Sequence, residues 1–145
     1  MRKIAKLVAV VLVICSIMSV FSACGDKNKQ IIDEKIKADY IAEHPRDHLT
    51  NEDITLRHYG EFNETYVFMM DINGYDALTG IFHDIISDVV FIYPSGNKLT
   101  VYSDGKFYSL KEAFEKELLT HDNLLEVQTN YRSDHENIYH DYIIS

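Results

Sequence analysis

The chain has no tryptophan, two cysteines, two prolines and six glycines in 145 residues. With only Cys15 and Cys24, and Cys15 inside an apolar run, no disulfide scaffold is available and no internal bridge is expected. No internal repeat and no low-complexity segment is visible. Bases are scarce too: 14 Lys and Arg face 23 Asp and Glu, for a net charge of −9. That balance argues against nucleic acid as a partner, because phosphate binding needs a basic patch. It also argues against a domain face that lies on anionic lipid. G-x-S-x-G, P-loop and dinucleotide-binding fingerprints are all missing.

What is present begins at the N-terminus. Met1-Arg2-Lys3-Ile4-Ala5-Lys6 is basic without an acid, and Leu7 to Phe21 is apolar except for Ser16 and Ser19. That run is short for a bilayer span, which needs about 20 residues in a helix. Small residues, Ser22 and Ala23, follow it. The pattern is that of a secretory signal peptide over residues 1–23. Phe21-Ser22-Ala23-Cys24 resembles the lipobox of bacterial lipoproteins, with Phe21 where Leu is usual. The resemblance implies that Cys24 is acylated on sulfur and becomes the new N-terminus. A plain secreted form and an uncleaved anchor are the alternatives. Removing residues 1–23 takes away three bases and no acid, lowering the net charge from −9 to −12 over the remaining 122 residues. That length makes one domain with a sizeable core.

Residues 24–30 read as the lipidated Cys24 and a short polar linker, residues 31–133 as the domain, and 134–145 as a polar segment and an apolar tail. Ile32, Ile36, Tyr40 and Ile41 share one face of a helix over Ile31 to Glu43, which Pro45 stops. Thr50-Asn51-Glu52-Asp53 makes one turn. From Ile54 the period is two: Ile54, Leu56, Gly60 and Phe62 alternate with Thr55, Arg57, Tyr59 and Glu61. Asn63-Glu64 turns the chain, and Thr65 to Met70, apolar on both faces, reads as a central strand. Asp71 to Gly80 reads as a loop. Ile81 to Tyr93 holds strand structure broken near Ser87-Asp88. Pro94-Ser95-Gly96-Asn97 reads as a hairpin loop with Leu99 and Val101 on the return strand, and Asp104-Gly105 as a tight turn. Ser109 and Glu112 form a capping box for a helix presenting Leu110, Phe114 and Leu118. Thr120 caps a second helix presenting Leu124, Val127, Gln128 and Tyr131. The fold class expected is α+β: an N-terminal helix, an antiparallel sheet of four or five strands, and two C-terminal helices on one sheet face.

Tyr59-Gly60-Glu61-Phe62-Asn63 with Tyr66-Val67, the stretch Ser103-Asp104-Gly105-Lys106-Phe107-Tyr108-Ser109-Leu110-Lys111-Glu112-Ala113-Phe114, and Leu118-Leu119-Thr120 resemble a family of small lipoproteins and exported domains of gut Firmicutes. Its pattern runs roughly YYGxYNGxYVVM, then GxxFxYxxxxxIxVYxDGKFYSLxEAYxxGLLT. The resemblance covers about residues 38–128 and implies compartment and fold; it transfers no activity and no site residue. Glu64 and Glu117 stand where that pattern has Gly, so the first turn must tolerate a side chain and the interhelical turn is expected to be less sharp.

No catalytic, cofactor-binding or metal-ligating set emerges. His44 and His48 are separated by Pro45; His135 and His140 are five apart; His58, His83 and His121 are isolated. A zinc site needs three or four convergent ligands. Asp71-Ile72-Asn73-Gly74-Tyr75-Asp76 misplaces the calcium-loop Gly, and its twelfth position is Phe82, so it reads as a turn. Cys24 is the one functional residue assigned, for lipidation. The function expected is a membrane-anchored extracytoplasmic binding module without catalysis or cofactor, whose partner is a protein or envelope component. A cell-surface hydrolase and an inhibitor of an external enzyme, projecting Asp71 to Gly80, are the rival expectations.

Overall fold

The computed structural model describes residues 27–73, 81–93 and 97–137. Contacts divide the chain into two units, Met1–Ala38 and Asp39–Ser145. The described part of the first unit is helical and belongs to helix α1, which covers residues 27–43. Ile36 is fully buried, as the helical spacing requires. The helix is already formed at residue 27, inside the segment expected to be linker. Lys27, Lys29 and Gln30 are good helix formers, so their polarity did not mark a coil. Cys24 and the signal segment lie outside the described residues.

In the second unit, three two-residue turns set the sheet. β1 (Ile54–Phe62) and β2 (Thr65–Ile72) are joined by Asn63-Glu64, β3 (Phe82–Ile86) and β4 (Val89–Tyr93) by Ser87-Asp88, and β5 (Leu99–Ser103) and β6 (Lys106–Ser109) by Asp104-Gly105. All six turn residues have positive φ, between 46° and 74°. This is the turn geometry that matches strand twist. Only one of the six is glycine, so several side chains occupy the left-handed region at a cost.

The strands form two antiparallel sheets: four strands in the order β1-β2-β5-β6, and a two-stranded ribbon β3-β4. β2 is central, and Thr65 to Met70 are all buried. Pro94, Ser95 and Gly96 of the expected hairpin loop lie outside the described residues, but the strands on either side of it, β4 and β5, do not pair with each other. β4 pairs with β3 in the ribbon, and β5 pairs with β2 in the larger sheet. A four-residue Pro/Gly loop fits either connection, so its composition could not decide.

The alternation in β1 breaks at a bulge. His58 pairs with Phe68 and Gly60 with Val67, leaving Tyr59 as the extra residue. The expected phase placed Tyr59 outward; the bulge turns it inward, and it is 4% exposed. Gly60 follows, where a Cβ would lie 2.6 Å from Phe62 Cε2 and 2.9 Å from Val127 Cγ2. The bulge thus needs a residue without a side chain next to Tyr59.

Helices α2 (Leu110–Glu115) and α3 (His121–Asp134) both pack on one face of the larger sheet. Leu110, Ala113, Leu119, Leu124, Val127 and Tyr131 meet Val67, Met69, Leu99 and Val101 there. Full burial of one such large side chain contributes about 1.5–3 kcal/mol. Both capping boxes form: Ser109 with Glu112 at 2.9 and 3.1 Å, Thr120 with Asn123 at 3.0 and 3.2 Å. The interhelical turn stays sharp. Leu118 N–H donates to the Ala113 carbonyl at 2.9 Å, Glu117 N–H to that of Phe114 at 3.0 Å, and Glu117 takes φ 62°. This is a Schellman stop with Glu in the position glycine favours. The α+β class and the placement of both C-terminal helices match the sequence expectation.

Candidate functional site

Polar chemistry comes first, because catalysis and metal binding need convergent groups. Among the described residues no group of three or more His, Cys, Asp or Glu could hold a metal ion. The histidines are scattered and most are engaged locally. His44 Nδ1–H donates to the Tyr40 carbonyl at 2.9 Å while its ring stacks on Tyr40 at 4.1 Å. His135 repeats the device on Tyr131, with 2.9 Å and 4.3 Å. Each lies at the end of a helix and satisfies a terminal carbonyl. His48 occupies a left-handed position after a short 3-10 turn, and His58 packs on Phe68. His140 lies outside the described residues, as do Gly74 to Gly80 of the loop considered for an inhibitor.

The tyrosines show the strongest electrostatic perturbation. Burial pushes the Tyr59 hydroxyl up to about 12, with the nearby Asp134 carboxylate as the second cause. That hydroxyl makes no hydrogen bond of ordinary geometry. Tyr59 and Tyr131 meet edge to face at 5.2 Å, as do Tyr93 and Tyr131 at 5.7 Å. Tyr102 is raised as well, by burial first and then by donating to Asp39 at 2.5 Å. These groups stay neutral near pH 7 and sit in packed surroundings, so they brace the fold. An open groove of about 300 Å³ runs along α3 between Gln128, Thr129, Arg132, Ser133 and Glu136. Gln128 and Thr129 already donate to backbone carbonyls, of Val90 and Leu125.

The surface that departs from ordinary behaviour is the ribbon. Ile81, Phe82 and Ile85 are 63%, 41% and 64% exposed, within five consecutive residues. Scattered exposed apolar residues are normal; three together, Ile81 just before an outer strand and Phe82 and Ile85 on it, are not. The inner strand anchors them. Val89, Phe91, Ile92 and Tyr93 of β4 are buried, and α3 holds that strand at two points. Gln128 Nε2–H donates to the Val90 carbonyl at 2.9 Å, and His121 Nε2 meets Asp88 Oδ1 in the ribbon turn at 2.9 Å. Lys98 Nζ reaches Asp84 Oδ1 at 3.2 Å. A rigid inner strand therefore presents an apolar outer one.

Strand structure over Ile81 to Tyr93 is expected from the sequence; the exposure of Ile81, Phe82 and Ile85 is not. A signal existed. His83 and Ile85 alternate onto one face of β3, and a histidine in that phase marks a face that meets water. No helix among the described residues is long and apolar enough to cross a membrane. No family model, no curated protein and no solved structure matches the chain.

Proposed function

We propose that the chain is an extracytoplasmic lipoprotein, anchored through acylated Cys24, that acts as a non-enzymatic binding module toward a protein at the cell surface. Its anchor rests on the sequence: a basic start, a short apolar run, and Phe21-Ser22-Ala23-Cys24. Two acyl chains hold a protein firmly where one holds it marginally. The resemblance to exported domains of gut Firmicutes points to the same compartment. The observation that carries the binding role is the exposure of Phe82 and Ile85 on the outer strand of an anchored ribbon, and of Ile81 just before that strand. Apolar area held rigid loses little on association, which is what a recognition surface needs.

The test has two arms. Cys24→Ser should abolish palmitate labelling and release the protein from the membrane fraction. Ile81→Ser/Ile85→Ser should keep the label and the melting temperature but lose the protein partner cross-linked at the surface. Label retained by Cys24→Ser contradicts the anchor, and a partner retained by the double variant contradicts the surface.

A further inference from the structure

The partner's chemistry follows from what surrounds the ribbon. Ile85 pairs with Val90 across the ribbon, so both side chains lie on one face. Leu125 is four residues after His121 and three before Gln128, the two side chains that tie α3 to Asp88 and Val90. Residues at that spacing share a helix face, so Leu125 is turned toward the same edge of the ribbon. It is 42% exposed, and Val90 is half-buried. Ile85 on β3, Val90 on β4 and Leu125 on α3 thus form an apolar row across three elements.

The rim of that row is acidic. Asp88 is 82% exposed at the ribbon turn. Asp122 and Glu126, one turn apart on α3 and beside His121 and Leu125, are exposed as well. Lys98 is paired with Asp84, and His121 Nε2 meets Asp88 Oδ1. A second copy would bring the same acids against this rim, and the chain as a whole carries 23 acids to 14 bases. Like charges around an apolar contact oppose association; opposite charges steer it.

We infer that the Ile85–Val90–Leu125 row docks a cationic protein segment, one whose apolar side chains are flanked by lysine or arginine. This rests on the binding-module reading and adds the partner's chemistry to it.

The experiment uses the full chain in the cell that makes it. A photo-crosslinking residue, p-benzoylphenylalanine, replaces Ile85 or Leu125, with the exposed residues Thr55 and Lys111 replaced as controls. The adduct's peptide is then sequenced by mass spectrometry. The expected result is one protein cross-linked from both Ile85 and Leu125, through a segment bearing Lys or Arg beside apolar residues. Asp122→Lys/Glu126→Lys should abolish the adduct, and Asp122→Asn/Glu126→Gln should reduce it, with melting curves showing each variant folded. Five outcomes overturn the inference: an adduct with a second copy, one with lipid alone, a cross-linked segment that is acidic or uncharged, an adduct indifferent to charge reversal, or adducts only from Thr55 or Lys111. In the last case the binding-module reading survives. Absence of an adduct at every position removes both.

Discussion

Gln128 and Val90 are joined by one hydrogen bond, from the amide Nε2 on α3 to a backbone carbonyl on β4, at 2.9 Å. It satisfies a strand-edge acceptor that has no third strand to bond, and it fixes the ribbon against the helix. The ribbon's pairing is only two strands wide, and an isolated two-stranded hairpin is marginal in water. Replacing Gln128 by Ala should cost about 1 kcal/mol in a urea melt. Amide exchange should accelerate in Val89 to Tyr93 before it does in Thr65 to Met70. Equal acceleration in both would mean that the ribbon is not a separately held element.

Gly60 is the close-approach point between β1 and α3. A methyl group there would meet both Phe62 and Val127 inside 3.0 Å. Gly60→Ala should destabilise by about 1–3 kcal/mol, the cost of overpacking. The added Val127→Ala should recover part of it, because it removes one of the two obstructing groups. A neutral Gly60→Ala in denaturant titration would contradict the packing described at the bulge.

Glu64 and Glu117 hold φ of 64° and 62°. A non-glycine residue in this region costs about 1–2 kcal/mol, and glycine relieves most of that. Glu64→Gly and Glu117→Gly should each therefore stabilise the domain by about 0.5–1 kcal/mol, net of glycine's larger chain entropy. The two sites lie in different turns, so the gains should add. Lys111→Ala is the contrast: its pairing with Glu115 at 4.0 Å is exposed on both sides, and its loss should be almost silent in the same melts.

Tyr59 gives the fold a pH signature. Its hydroxyl is raised from 10.0 to about 12 by burial and by Asp134, so the folded state holds that proton where the unfolded state has lost it. Stability from this group is complete below pH 10 and disappears as pH rises toward 12. The size is of order 2–3 kcal/mol. Burial raises Tyr66 and Tyr102 too, adding to alkaline lability. Tyr59→Phe should flatten the decline between pH 10 and 12 in chemical denaturation. An unchanged slope would mean that the hydroxyl is hydrated in the folded protein.

Much of the fold was legible in residue order because its signals are local. The Ser109–Glu112 and Thr120–Asn123 caps occupy three-residue spacings, and Asp104-Gly105 is a turn by composition alone. The rest depends on distant partners. Tyr59 turns inward because β1 gains a residue against β2, which no alternation within β1 reveals. Whether Leu99 returns to β4 or crosses to β2 depends on which strand offers a free edge. Glu117 shows the limit from the other side: its side chain suggests a loose turn, but the hydrogen bonds to Ala113 and Phe114 and the burial of Leu119 outweigh its backbone cost. Of the candidate surface, the strand was readable from Ile81 to Ile86, but not its exposure, because coverage of a strand is a property of its neighbours.

The measurement that tests the account most directly is the intact mass of the protein recovered from the membrane fraction. The expected species begins at Cys24, lacks residues 1–23, and carries two or more acyl chains on that residue. A mass matching the full unmodified sequence, or a chain cut near Cys24 without added lipid, would contradict it.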